Sequence, residues 1–195
     1  MNNQRIYLNK ERLVALIDAV LAIIMTLLVL NLQKPVQPTL AGFWALRNSY
    51  FSYTLSFFWL GILWLSLNQF FAQINAIGSR TVIIGLVMLF VCSLVPYLTM
   101  LASDDFHSQL IQTIFGVGTG WSTCCLSPYF ITMDECAYES ASLPIYIHEQ
   151  TRLLLYSPVT KLAGIGICWM VYPPAVMFRL FSRLFSPFCI RTLKL

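Results

Sequence analysis

Long apolar runs separated by short polar segments dominate the chain. No Asp, Glu, Lys or Arg occurs in Tyr50–Ala72, Thr81–Ser103 or Phe106–Met133. Because a helix crosses the hydrocarbon core of a bilayer with about 20 residues, each of these runs is long enough to span a membrane. The whole pattern predicts six spans: Leu13–Leu32, Tyr50–Gln73, Thr81–Leu101, Phe106–Met133, Leu153–Tyr172 and Ala175–Ile190. The predicted fold is an all-α polytopic membrane protein with six transmembrane helices, in a single domain over residues 1–195.

Composition removes the soluble classes of protein from consideration. Hydrophobic residues make up 58% of the chain and charged residues 10%, against about 25% charged in an average soluble protein. The mean hydropathy of +0.72 excludes a disordered chain, and the scattered basic residues exclude a nucleic-acid binder, so the lipid bilayer is the expected partner. Five of the six cysteines lie within or at the end of apolar spans, and Cys136 lies in a loop expected in the cytoplasm. We therefore predict no structural disulfide.

Lys and Arg residues near the span ends predict the orientation, since short cytoplasmic loops carry an excess of them. With the amino terminus inside, the outer loops hold only Lys34 and Arg47. The inner segments then hold eight basic residues: Arg5, Lys10, Arg12, Arg80, Arg152, Arg183, Arg191 and Lys194. We expect both termini in the cytoplasm.

The first span has one largely aliphatic face. At about 100° per residue, one stripe contains Arg12, Leu16, Ala19, Ile23, Thr26, Leu27 and Leu30. Lipid and a partner helix accept such a face equally well, so the stripe alone does not assign a function.

Asp18 is the one charge inside this span, and it points away from the stripe. A charged side chain at the centre of a span costs about 2.5 to 3.5 kcal/mol on insertion scales, so the carboxylate needs partners or a proton. Arg12, Trp64 and Asn68 are candidate partners, which would make Asp18 a polar anchor between the first helix and the next two. The alternative is a proton or ion site. The anchor is favoured because the helical period directs Asp18 away from the stripe.

The order of residues in this span is similar to the first helix of a known family. Members carry an Arg, a Phe-Ser-Asp motif, an Ala-Ile pair and a Thr-Leu-Leu run that ends in alternate leucines. The matching positions here are Arg12, Asp18, Ala22-Ile23, Thr26-Leu27-Leu28 and Leu30-Asn31-Leu32, with Leu16-Ile17 in place of Phe-Ser. Further similar segments are Ser56–Trp64, Ser93–Tyr97 and Arg152–Pro158. The chain thus resembles the transmembrane protein 175 family of endo-lysosomal potassium channels and their bacterial and archaeal relatives.

This resemblance implies a homotetramer of six-helix subunits whose first helices line a central pore for potassium ions, with no cofactor. Ile23, Leu27 and Leu30 match pore-facing aliphatic positions, and Thr26 matches a hydroxyl-bearing one. The chain lacks a Thr-Val-Gly-Tyr-Gly filter, so we expect a hydrophobic gate formed by four copies of Ile23. The preference among cations and the passage of protons stay open. The prokaryotic members of this length imply a plasma-membrane location.

Two other functions stay open. Lys161 and the glycine-rich fourth span are compatible with a secondary transporter, although no internal repeat is evident. The Leu16-Ile17 departure from the family motif is compatible with a membrane scaffold that does not conduct. We predict no enzyme, because no nucleophile with a base, phosphate loop or pair of intramembrane carboxylates is recognisable. We also predict no metal site, since the spacing from Glu139 to His148 fits no compact zinc pattern and indicates a solvated acidic loop.

Overall fold

A computed structural model describes residues 10–72 and 77–119 of the chain. Its helices are α1 (Lys10–Leu30), α2 (Leu40–Ala45), α3 (Arg47–Ala72), α4 (Ser79–Ser93) and α5 (Val95–Asp104), and residues 109–119 are also helical. Three helical stretches are long and apolar enough to cross a membrane: Lys10–Leu30, Arg47–Ala72 and Ser79–Asp104. They confirm the first three predicted spans with shifted ends. Most of the fourth predicted span, and all of the fifth and sixth, lie outside the described residues.

The first helix, α1, has a sequence that favours helix along its whole length. No Gly or Pro occurs between Lys10 and Leu30, and the polar segment that follows contains Pro35, which cannot continue a helix. One side of α1 packs against α3, α4 and α5. Because lipid tails are as apolar as leucine, this packing is driven by close van der Waals contact between side chains rather than by escape from water.

A short helix, α2, lies in the connection between the first two spans, where the sequence pattern predicts only a loop. Thr39 caps its first turn, because its side-chain oxygen accepts a hydrogen bond of 3.2 Å from the backbone N–H of Gly42. None of its residues is buried. Six residues are too few to show the 3.6-residue period, which is why the hydrophobic pattern does not predict this helix.

The third span is interrupted at Leu94, which both ends α4 and precedes α5. The backbone N–H of Leu94 bonds to the carbonyl of Val91 at 3.2 Å, a tightened turn, and Pro96 follows in the first turn of α5. A proline in the first turn is tolerated, but its ring cannot donate the hydrogen bond that would continue α4. The predicted span over 81–101 is thus two helices.

The core lies between α1, α3 and the α4–α5 pair. Its buried apolar residues include Leu13, Ile17, Leu21, Ile24, Leu28, Leu55, Trp59, Leu60, Leu63, Leu67, Phe70, Phe71, Met88, Leu89, Cys92, Val95, Ala102 and Phe115. One polar link crosses it: the hydroxyl oxygens of Ser56 on α3 and Thr99 on α5 lie 2.8 Å apart, both buried. Thr99 also donates to the carbonyl of Val95 at 2.8 Å, so in the pair Ser56 donates and Thr99 accepts.

Candidate functional site

The two sides of α1 differ sharply in exposure. The buried side consists of Leu13, Ile17, Leu21, Ile24 and Leu28. The opposite side carries the predicted stripe, and every one of its residues is exposed: Arg12, Leu16, Ala19, Ile23, Thr26, Leu27 and Leu30. We call this set the exposed stripe. The described part of the chain covers one face of the helix and leaves the other face exposed to lipid or another molecule.

The chemistry of the exposed stripe is almost entirely aliphatic. The exposed fractions are 58% for Ile23, 43% for Leu27 and 76% for Leu30. Arg12, near the amino-terminal end, is the only charge. Thr26 is the only uncharged polar residue, and its hydroxyl donates to the carbonyl of Ile23 at 2.7 Å. With its proton engaged on the helix backbone, the Thr26 oxygen has lone pairs left to accept a hydrogen bond or to contact a cation.

Asp18 and Trp64 are brought together on the flank of the α1–α3 pair. The indole Nε1–H of Trp64 donates to Oδ1 of Asp18 at 2.8 Å. Both side chains are exposed in the isolated chain. Asp18 lies neither on the exposed stripe nor among the buried residues of α1, so its carboxylate faces α3 from the side. This hydrogen bond to a charged acceptor belongs to the stronger class of protein hydrogen bonds.

The other two candidate partners of Asp18 are not joined to it. Among the residues that the structure describes, no hydrogen bond or ion pair links Arg12 or Asn68 to Asp18. Arg12 lies six residues before Asp18, which places it about 120° away around the helix. Asn68 is exposed one turn beyond Trp64 on α3.

Two contacts at the C-terminal end of α1 are not predicted by the sequence pattern. Nδ2 of Asn31 donates to the carbonyl of Pro96 at 3.1 Å, and Nε2 of Gln33 donates to Oδ1 of Asp104 at 2.7 Å. Both acceptors belong to α5. The available sequence signals were a polar residue directly after the apolar run and a proline inside the third span, but neither signal identifies its partner.

The described residues offer little for other chemistry. Within residues 10–72 and 77–119, no group of three or more His, Cys, Asp and Glu side chains could hold a metal ion. The segment predicted as an acidic loop, with Glu139 and His148, and Lys161 of the predicted fifth span lie outside the described part of the chain.

Comparisons with known proteins point in one direction. The family described as "Endosomal/lysosomal potassium channel TMEM175" matches residues 12–96. A protein named as a potassium channel from Chryseobacterium sp. (strain P1-3) is 27% identical over 145 residues, covering 74% of this chain and 76% of its own length. A second one, from Streptomyces collinus, is 31% identical over 114 residues, covering 54% of this chain and 55% of its own length.

A solved structure shares the fold. The crystal structure of a lysosomal potassium-selective channel TMEM175 homolog from Chamaesiphon minutus matches with a TM-score of 0.80 and 17% identity. The match covers 94% of this chain and 97% of that chain. Together with the apolar helices, these findings identify an integral membrane protein whose residues 12–96 match the TMEM175 potassium-channel family.

Proposed function

We propose that four copies of this chain form a potassium-preferring cation channel whose pore is lined by the exposed stripe of α1. Each subunit contributes six spans, and both termini lie in the cytoplasm beneath a prokaryotic plasma membrane. The potassium ion is the permeant species and no cofactor takes part. The match to the family model and the names of the relatives support the potassium channel. The arrangement of the pore is argued from α1.

The observation that carries the proposal is the division of α1 into a buried side and an exposed stripe. Lipid or another copy of the chain could cover the exposed side, and the match to the family favours another copy. Here α1 contacts α3, α4 and α5 with its buried side, and within the described part of the chain the exposed stripe stays uncovered from Arg12 to Leu30. Four such faces around an axis would enclose a narrow passage, with Arg12 near one end and Leu30 at the other.

Ile23 is the proposed gate. Its branched side chain is more than half exposed, at 58%, and lies near the middle of the span. Four such side chains around an axis form an apolar ring, which expels water when it is narrow and fills with water when the helices move apart or rotate. Leu27 and Leu30 continue the apolar wall toward the C-terminal end of α1. Conduction is then controlled by wetting, without any mobile charged plug.

Thr26 places a hydroxyl group on the proposed pore wall, next to the Ile23 gate. Because its proton is donated to the carbonyl of Ile23, its oxygen can present a lone pair to an ion. Four such oxygens would replace part of the hydration shell of a passing cation, whereas an anion would meet no free donor there. This supports preference for cations, with proton passage still open.

Asp18 and Trp64 have a positioning task in this arrangement. Their hydrogen bond fixes the rotation of α1 relative to α3, since it joins side chains on the flank of both helices. A fixed rotation is needed because a turn of one residue, about 100°, would move the stripe off the axis. We therefore propose that Asp18 acts as an anchor and stays out of the ion path.

Potassium efflux from liposomes loaded with potassium and containing the purified full chain tests the function. We expect passive efflux, and a several-fold rise for Ile23→Ala, because a smaller side chain widens and wets the ring. Ile83→Ala is the matched control, since Ile83 is an equally branched, 61% exposed residue on α4, outside the exposed stripe. Its efflux should equal that of the parent.

Three results would contradict the proposal. Equal effects of Ile23→Ala and Ile83→Ala would remove the gate from α1. Efflux that needs a second, coupled solute would identify a secondary transporter. The interrupted third span makes a transporter the second candidate, because transporters build their substrate sites from discontinuous helices. No efflux from well-assembled protein would identify a scaffold.

A further inference from the structure

The C-terminal end of α1 is joined to both ends of α5. Asn31, the residue after Leu30, donates to the carbonyl of Pro96 at 3.1 Å, and Pro96 is the second residue of α5. Gln33 donates to Asp104, the last residue of α5, at 2.7 Å. At a rise of 1.5 Å per residue, the two acceptor residues are about 12 Å apart along the helix. The side chains of Asn31 and Gln33 therefore reach opposite ends of α5.

The helix α5 begins after a break in the third span. The break at Leu94 separates it from α4, and the buried hydroxyl pair Ser56–Thr99 ties it to α3 instead. A carbonyl oxygen has two lone pairs, so that of Pro96 can accept from the Asn31 amide although Pro96 lies in a helix. α5 can thus transmit the position of α3 to the C-terminal end of α1.

The direction in which α5 holds α1 follows from the helical register. Asn31 lies eighteen residues after Leu13, five full turns, and so continues the buried side of α1. The exposed stripe, which ends at Leu30, faces elsewhere. The two hydrogen bonds therefore draw the end of α1 toward α5 and away from the side that the stripe faces.

We propose that these two hydrogen bonds form a latch that keeps the C-terminal end of the pore open, with Asn31 and Gln33 as positioning residues. The proposal rests on the proposed function, because it assigns the stripe to the pore. When the latch is broken, the four Leu30 side chains approach one another at the axis, since contact between them removes apolar surface from water. The narrower ring sheds water and conduction falls.

A swap of the Gln33–Asp104 pair tests the latch. Gln33→Glu replaces the donor with a second carboxylate opposite Asp104, so we expect potassium efflux per reconstituted protein to fall several-fold. Adding Asp104→Asn reverses the pair, with an amide donating to a carboxylate again, and should restore the parental efflux. The control is Gln33→Glu with Asp105→Asn, which has the same net charge as the swapped pair but leaves Asp104 opposed; its efflux should stay low.

The amide of Asn31 is tested separately. Asn31→Asp removes the donor and places a carboxylate beside the carbonyl of Pro96, so efflux should again fall several-fold. Gln37→Glu makes the same change of charge at an exposed amide in the same connection and should leave efflux unchanged. Oligomer yield in detergent is measured for all variants, because a purely structural contact would lower the yield and leave efflux per assembled protein unchanged.

The outcomes separate the latch from the proposed function. A conducting parent whose swapped pair fails to recover, or whose control recovers equally, overturns the latch and leaves the channel in place. A parent without passive efflux overturns both. Recovery of efflux by the swapped pair, with loss retained in the control, supports the latch.

Discussion

At the scale of single residues, a hydrogen bond from one indole N–H stabilises the carboxylate of Asp18. The carboxylate lies within an apolar span, where a lone charge is costly, and the structure gives it Trp64 as a donor at 2.8 Å. Arg12, six residues earlier on the same helix, faces another direction. Asp18 is thus stabilised by a directional hydrogen bond, which also fixes the relative rotation of α1 and α3.

The anchor predicts an order of effects. Trp64→Phe keeps the ring but removes the donor, so we expect it to lower the free energy of unfolding by about 1.5 to 3 kcal/mol, the range for hydrogen bonds to charged groups. Asp18→Asn keeps an acceptor oxygen and should cost less, impairing assembly more than permeation. Thermal unfolding and oligomer yield in detergent measure both. Trp44→Phe, at an exposed indole on α2, is the control and should change neither. Normal oligomer yield with an altered ion preference in Asp18→Asn would contradict the anchor.

The angular position of these residues was predictable, and their partners were not. A period of 3.6 residues fixes which side chains share a face, so the exposed stripe and the direction of Asp18 follow from α1 alone. The choice of Trp64 over Arg12 or Asn68 depends on how α1 and α3 cross. That crossing is set by core packing between residues far apart in the chain, such as Ile17 and Leu60, and no local pattern contains it.

At the scale of helices, α5 is held by polar groups that span the core. Ser56 and Thr99 are both buried, and the hydroxyl of Thr99 donates a hydrogen bond to the carbonyl of Val95. The sequence showed the proline that breaks the third span, because Pro96 cannot continue α4. It could not show that the resulting short helix would bond to α3 and to the end of α1, since that requires all three to be adjacent in space.

The hydroxyl pair predicts a non-additive effect. Thr99→Val leaves the Ser56 hydroxyl buried without its acceptor and should lower the free energy of unfolding by about 1 to 3 kcal/mol. The double variant with Ser56→Ala removes both polar groups and should be more stable than Thr99→Val alone. Thr54→Val is the control, because Thr54 is exposed and bonds only to the carbonyl of Tyr50 on its own helix. Additive losses in thermal unfolding would show that the two hydroxyls are not coupled.

At the scale of the whole molecule, the chain leaves the exposed stripe without a partner among the described residues. A lipid-facing stripe and a pore-lining one are equally apolar, so hydropathy alone does not separate them. The helices around α1 cover only its buried side, and the polar contacts with α3 and α5 fix its rotation and its end, so the stripe faces its surroundings at a defined angle.

Assembly of four copies around the stripe predicts a definite mass. The detergent-solubilised chain of 22.2 kDa should appear in native mass spectrometry as a complex of four copies.

Leu27→Lys should abolish potassium efflux. Four ammonium groups around one axis repel a cation, and removing water from them in an apolar passage costs free energy. Leu86→Lys is the control: Leu86 is exposed to a similar degree on α4, outside the stripe, where a single lysine stem can extend toward the membrane surface. A monomer in the mass spectrum, or equal efflux from the two lysine variants, would contradict a pore built from α1. A tetramer that conducts with Leu86→Lys but not with Leu27→Lys would support an ion path along the exposed stripe.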